Sequence, residues 1–446
     1  MKKYIYSVFI FFCASTLLAQ EELKMSMQEA IDYAIKNNYE NKIAVNNIKA
    51  ANEKKWETTT IGLPQIDGTV DYQNWLKQQV SLLPGELSGG APGTFVPVKF
   101  GTKQTMNATV TLRQLIFDGS YIVGLQSAKT YLKISEQSKE KTELTTREAV
   151  INAYGNVLVT EKTIEILEKN KAVLQKNLDE TQKIYKNGLT ELENVEQLQI
   201  TYGNIENSLN NAVRMKTIAY KMLNIALGNA VEVKVELTDT LDNLVILNTD
   251  LSLLSKSFDI KNHIDYRMTE NDKESKRLLM KLEKSKALPT LSTFVNYGAG
   301  ANSEDFNFFS GSQKWFASSL LGVTLKVPIF SSLGRSSRTA MARIELENAE
   351  IQQKNVEQQL ILQAASAKSE YQLSIGSYEI AKKNLELSER IEKKQQVKFF
   401  EGISSSFDLL QAQNQLYTQQ NNYVQSMLNV IAKKAQLDSA LNTPLK

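Results

Sequence analysis

The chain has 446 residues, with 52 Lys and Arg against 49 Asp and Glu, a single histidine and a single cysteine. A formal net charge of +3 over this length supplies no basic face for nucleic acid. One histidine and one cysteine cannot furnish a His/Cys metal site.

Lys2 and Lys3 precede an apolar stretch from Tyr4 to Leu18 and then Ala19-Gln20. This is the layout of a secretory signal peptide over 1–19; about fifteen apolar residues is short for a membrane anchor. Its removal takes away Lys2, Lys3 and Cys13 and leaves 50 basic residues, 49 acidic residues and no cysteine. Such a chain suits an oxidising compartment without needing disulfides. No later run of 18 apolar residues offers a helical span.

Ser26-Met27-Gln28-Glu29 reads as a capping box. Met27, Ala30, Ile31, Ala34 and Ile35 follow on one helical face, and the helical pattern continues to about Thr60. Pro64 marks the exit, and the period then changes to two. Ile66, Gly68, Val70 and Tyr72 point one way, and Asp67, Thr69, Asp71 and Gln73 the other. Met106, Ala108, Val110 and Leu112 alternate in the same way with Thr105, Asn107, Thr109 and Thr111. After Gly119 the helical period runs about 68 residues to Asn187-Gly188, roughly 100 Å of helix. Its lower half carries a heptad, with Val150, Val157, Ile164, Lys171, Leu178 and Tyr185 at one position. Ala153, Thr160, Leu167, Leu174 and Thr181 hold the other, a stripe that specifies helix-on-helix packing. Gly188 turns the chain, and a helix runs back to about Leu227 as an αα-hairpin. Residues 229–262 break the pattern and read as a small mixed linker.

The second half repeats the first. "GLPQIDGTVDY" (Gly62 to Tyr72) returns 225 positions on as "ALPTLSTFVNY" (Ala287 to Tyr297), and "YKNGL" (Tyr185 to Leu189) returns 214 on as "FFEGI" (Phe399 to Ile403). "VTLRQLIF" (Val110 to Phe117) returns 213 on as "VTLKVPIF" (Val323 to Phe330), so about twelve extra residues sit in the first copy between Tyr72 and Val110. The organisation expected is a first repeat over 20–228, with a β-hairpin at about 65–117 and a helix hairpin at about 119–227. The linker 229–262 follows. A second repeat over 263–446 has a β-hairpin at about 289–330 and a helix hairpin at about 332–442. The second long helix shows a weaker seam at Leu373, Ile380 and Leu387, with small and polar residues at Ala364, Ala367, Ser374 and Ala381. Gly402 is its turn.

Four strands with one apolar and one polar face match transmembrane β-strands, or soluble hairpins. Four strands cannot close a barrel, and open sheet edges do not survive in a membrane. A membrane reading therefore requires several chains to share one barrel. The loops Leu76 to Lys103 and Ala301 to Lys314 then belong outside the cell.

These features resemble the TolC-like outer membrane efflux proteins across essentially the whole mature chain. The resemblance is carried by the duplicated halves, the strand entries at Leu63 and Leu288, and the joints "LIFDGS" (Leu115 to Ser120) and "PIFSSLGR" (Pro328 to Arg335). "ELENVEQLQ" (Glu191 to Gln199) and "SFDLLQAQNQL" (Ser406 to Leu416) after the glycine turns carry it as well. It implies a mainly α protein with membrane β: a long α-helical coiled-coil barrel continuous with a 12-stranded β-barrel shared by a homotrimer, four strands per chain. It implies a passive exit duct in the outer membrane of a Gram-negative cell, with a large periplasmic portion. Its partners would be outer-membrane lipid, a periplasmic adaptor and an inner-membrane transporter. Carried over position by position, Tyr185, Asn194, Phe399 and Asp408 would form the periplasmic tip and gate. Ser404 stands where some relatives have a gating arginine, which leaves a salt-bridge lock there in doubt. The turn residues Gly188, Leu189, Thr190, Gly402, Ile403 and Ser404 would meet the adaptor. Asp408 also reads as a helix N-terminal acid stabilised by the dipole; the two roles are compatible. The competing reading is a periplasmic coiled-coil adaptor or scaffold outside the membrane.

Catalytic constellations and cofactor motifs are missing: there is no G-x-x-x-x-G-K-S/T and no G-x-G-x-x-G. The expectation is no enzyme and no cofactor. His263, among Lys261, Asn262 and Asp265, is expected to be an exposed turn residue.

Overall fold

The computed structural model describes residues 23–442; the expected signal peptide at 1–19 lies outside them. In chain order come β1 (Leu23–Met25), α1 (Met27–Asn37), α2 (Tyr39–Thr60), β2 (Gln65–Asn74), β3 (Val80–Pro84), β4 (Phe95–Lys99) and β5 (Gln104–Asp118). The first long hairpin is α3 (Gly119–Lys186) and α4 (Leu192–Leu227). Then come β6 (Val235–Leu237), α5 (Leu241–Asn248), α6 (Ser252–Ser255), α7 (Ile264–Ser285), β7 (Thr290–Ser303) and β8 (Phe316–Lys326). The second hairpin is α8 (Gly334–Phe400) and α9 (Ser406–Ala440). Contacts divide the chain into a strand unit holding β2 to β5, β7 and β8 (Asn46–Gln137 and Arg267–Asn355) and a helical unit holding the segments up to Val45, Ser138–Tyr266 and from Val356 onward.

In the strand unit, β2, β5, β7 and β8 form one antiparallel sheet in the order β2-β5-β7-β8. Its register aligns the faces of all four strands. Ile66 stands beside Leu112, Val295 and Leu321, and Val70 beside Ala108, Ala299 and Ala317. Tyr72 stands beside Met106 and Ala301. This face carries no charged residue. The opposite face carries Asp67, Asp71, Arg113 and Lys326, with an Arg113–Asp67 ion pair of 2.7 Å. Among the described residues, β2 and β8 have no further partner strand. The loop after β2 contains a two-stranded ribbon, β3 against β4, in which Val80 stands beside Lys99 and Leu83 beside Val96.

In the helical unit, α1 opens on the expected capping box: Glu29 Oε2 accepts from the Ser26 N–H at 2.8 Å. The helix does not run unbroken to Thr60. Asn38 leaves helical geometry because its side chain bonds locally and across: Nδ2 donates to Ala226 O at 2.8 Å, and Oδ1 accepts from Glu40 N at 2.8 Å. The 229–262 segment is tied into the core. Its strand β6 pairs in parallel with β1, which no local pattern announces. Two fully buried tyrosines pin the same segment to the long helices. Tyr154 on α3 donates to Asp239 Oδ2 at 2.9 Å, and Tyr371 on α8 donates to Asn248 O at 2.6 Å. Burial and the neighbouring Asp239 push the Tyr154 phenol up, so it stays a donor.

His263 corrects the expectation of an exposed turn residue. It is 3 % exposed, lies edge-on to Phe258, and accepts from the Asp265 N–H on Nδ1 at 3.2 Å. Its position at the start of α7 makes it a packed helix-start residue.

Candidate functional site: the two hairpin tips

Each long hairpin turns through the same backbone device. At the first tip, Gly188 N donates to Tyr185 O at 2.8 Å and Leu189 N to Ile184 O at 3.1 Å. At the second, Gly402 N donates to Phe399 O at 3.0 Å and Ile403 N to Lys398 O at 2.8 Å. These are paired Schellman bonds, and they require the left-handed backbone that glycine takes freely. Gly188 has φ 75° and Gly402 φ 72°. A Cβ added at either glycine would meet nothing within 4 Å, so the constraint is conformational rather than steric.

The turns project Leu189 and Ile403 into solvent, while Thr190 and Ser404 are half-buried. Beyond them the two tips differ. Asp408 closes a capping box with Ser405: its Oδ2 accepts from Ser405 N at 3.1 Å and Ser405 Oγ at 2.8 Å. The Ser405 bonds and the more distant Lys398 hold the Asp408 carboxyl below the usual range. Asn194, its counterpart, donates to Thr190 Oγ1 at 2.7 Å, and Glu191 caps α4 without a side-chain bond. Tyr185 is 40 % exposed, one turn beyond the buried Thr181 and two beyond the buried Leu178. Phe399 is half-buried with its ring edge-on to Phe400. A cleft of about 550 Å³ lies between the tips, lined by Thr181, Asn194, Phe399 and Ser404 among others. Ser406 Oγ donates to Gln197 Oε1 at 3.1 Å across it.

Sequence reasoning missed a polar layer beneath these turns. Gln413 is 1 % exposed, and neither of its amide atoms has a hydrogen-bond partner within the chain. Asn177 is fully buried, with Gln396 donating to its Oδ1 at 2.8 Å and its Nδ2 unpartnered. Burial pushes the Glu392 carboxyl up beside Gln413. A signal existed: Leu409, Ala412, Gln413 and Leu416 stand at i, i+3, i+4 and i+7, which puts a glutamine at a core position.

Among the described residues no group of three or more His, Cys, Asp or Glu could hold a metal ion. No described helix is long and apolar enough to cross a membrane. The four-stranded sheet with one uncharged face, joined to two long helical hairpins, defines an outer-membrane channel subunit. The model of the outer membrane efflux protein family matches residues 30–229 and 260–443, and the chain belongs to that family. It is 22 % identical to the outer membrane protein TolC of Vibrio cholerae over 347 residues, covering 76 % of this chain and 77 % of the relative. The fold matches the crystal structure of the CmeC outer membrane channel of Campylobacter jejuni with a TM-score of 0.73 at 16 % identity, covering 93 % and 85 % of the two chains. It matches VceC of Vibrio cholerae with a TM-score of 0.71 at 16 % identity, covering 94 % and 97 %. The protein is therefore a passive exit duct for efflux in the outer membrane, with a large periplasmic part, and not an enzyme. The adaptor or scaffold reading is set aside. Its family works with an adaptor and an inner-membrane pump.

Proposed function

We propose that three copies of this chain share one 12-stranded barrel, each giving β2, β5, β7 and β8, and that their helical hairpins form the periplasmic conduit. The observation that carries the reading is the sheet. One of its faces is uncharged across all four strands, the other is polar, and among the described residues both edge strands lack a further partner. In a bilayer each open edge costs unsatisfied N–H and C=O groups, which pairing of β8 with the β2 of a second copy removes.

At the periplasmic end, Tyr185, Asn194, Phe399 and Asp408 close the duct at rest. Gly188, Leu189, Thr190, Gly402, Ile403 and Ser404 present the surface an adaptor meets. The exposed, rigidly turned Leu189 and Ile403 support the docking role. The inner-membrane transporter supplies the energy, since the chain has no nucleotide-binding motif. The sequence repeat reflects two equivalent halves, each contributing one strand pair and one helix hairpin.

A photo-crosslinking residue placed at Ile403 in living cells tests the docking claim. The expected product is a covalent adduct with the periplasmic adaptor, absent when the same residue is placed at Glu86 in the loop after β2. An adduct at Glu86 and none at Ile403 contradicts it.

A further inference from the structure

The loop between β7 and β8, expected like the loop after β2 to lie outside the cell, folds back over one end of the uncharged face of its own sheet. Phe308 is 2 % exposed and packs with Met106 and Ala301 in a small closed cluster. Tyr72, on the same row of that face, meets Phe306 edge-on at 5.5 Å and Phe308 at 6.0 Å. Phe306 in turn meets Phe309 at 6.0 Å.

The fold-back is fastened by polar bonds. Trp315 Nε1 donates to Phe308 O at 3.3 Å, Gln313 Nε2 donates to Asn302 O at 3.2 Å, and Gln104 Nε2 donates to Glu304 O at 3.5 Å. The buried Phe308 thus holds two other rings outward. Phe309 is 82 % exposed and Phe306 is exposed beside it. The charged residues of the loop, Glu304, Asp305 and Lys314, stand at its two ends and leave the aromatic centre uncharged.

We propose that residues 304–315 form an anchor in the outer leaflet, with Phe306 and Phe309 seated among lipid acyl chains at the level just below the headgroups. The inference rests on the barrel reading above. The occupant is lipid because the aromatic cluster continues the row of Tyr72, Met106 and Ala301 on the face that a barrel turns to the bilayer. Rings in water at this exposure lose the apolar burial that aromatic side chains gain at a membrane interface. Two turns inside the loop, Ser310 N to Asn307 O at 2.9 Å and Gln313 N to Ser310 O at 3.0 Å, satisfy part of its polar backbone, as that depth favours. The anchor fixes the height of the barrel rim, whereas the loop after β2 stays in water.

The test uses single cysteines in a Cys13→Ser background, labelled with an environment-sensitive fluorophore, in the full-length protein reconstituted into vesicles. Phe309→Cys should be quenched at least twofold more by lipids brominated near the headgroup than by aqueous iodide. Val110→Cys, mid-strand on the same face of β5, should be quenched by lipids brominated deep in the chain. Gly89→Cys should respond to iodide alone. If Phe309→Cys follows Gly89→Cys while Val110→Cys still reports lipid, the anchor is refuted and the barrel stands. If Val110→Cys also fails to report lipid, the barrel reading itself falls. Shielding of Phe309→Cys from both quenchers, with cross-linking between chains, would assign the rings to a second copy and overturn the proposal.

Discussion

The two long helices α3 and α8 occupy equivalent places in the repeat, but α8 leaves a longer line of large apolar residues exposed. Helix α3 buries Val150, Tyr154, Val157, Leu174 and Leu178 within its own chain. Helix α8 buries Ala364, Ala367, Ser374, Ala381 and Ser388 there, and exposes Ile344, Ile351, Leu362, Leu373, Ile380 and Leu387. The exposed positions are spaced by 7 or 11 residues, which is two or three turns, so they form one line along the helix. Its inward face mixes Leu360, Tyr371 and Tyr378 with those small residues, while the outward line of large residues stays exposed within its own chain. On the trimer proposed above, that line is the face that other copies cover.

The largest effect should come from breaking the outward line. Leu373→Glu with Ile380→Glu replaces two side chains, each worth about 1.5–3 kcal/mol when buried, by charges repeated in every copy. The assembled fraction on native gels should fall at least tenfold while helical circular dichroism is kept. An unchanged assembly would mean that α8 turns this line to water.

Breaking the inward line should act on the protomer. Leu174→Ala removes a fully buried side chain and should cost about 2–5 kcal/mol. Its thermal unfolding midpoint should fall before assembly is affected; a loss of assembly at an unchanged midpoint would erase the contrast.

The turns give a smaller effect. Gly402→Val forces a β-branched residue into left-handed backbone at a cost of about 1–2 kcal/mol. Efflux in a susceptibility assay should drop while the amount of protein in the membrane stays close to wild type. Loss of the protein altogether would assign Gly402 to folding.

Within the second hairpin, two carboxylates give the smallest effect. Burial raises the Glu392 carboxyl, so its contribution to packing is complete below the unfolded value near 4.5 and is lost as pH rises through the folded one. Bonds from Ser405 lower Asp408, so its contribution is present above the unfolded value near 3.8 and is lost as pH falls through the folded one. Thermal midpoints should therefore rise on mild acidification in wild type and stay flat in Glu392→Gln. Asp408→Asn should lower the midpoint at neutral pH, with the difference from wild type vanishing in strong acid, and should weaken divalent-cation block in planar bilayers.

Sequence periodicity made much of this visible. With no proline from Gly119 to Gly188, the helix found at Gly119–Lys186 could be read almost to the residue, and period-two alternation placed Ile66 and Val70 on one face of β2. The left-handed glycines followed from helix-end chemistry. What stayed hidden depended on distant partners. Asn38 breaks a helix because Ala226 O accepts its amide, β1 exists because β6 pairs with it, and His263 is buried by Phe258. Leu373 and Ile380 carry a heptad spacing as good as that of Val150 and Val157. Spacing gives a line of residues but not which neighbour the line faces, so the buried and the exposed seams of α8 could not be told apart. At the tips, the turns were legible and the polar layer of Glu392, Gln413 and Asn177 was not, because burial of a polar side chain is set by the whole bundle.

The central claim is that one chain is an unfinished third of a channel. Native mass spectrometry of the detergent-solubilised protein tests it most directly. The account predicts a single species of three chains, with no membrane-inserted monomer. A monodisperse single chain that retains its full β-sheet signal would contradict it.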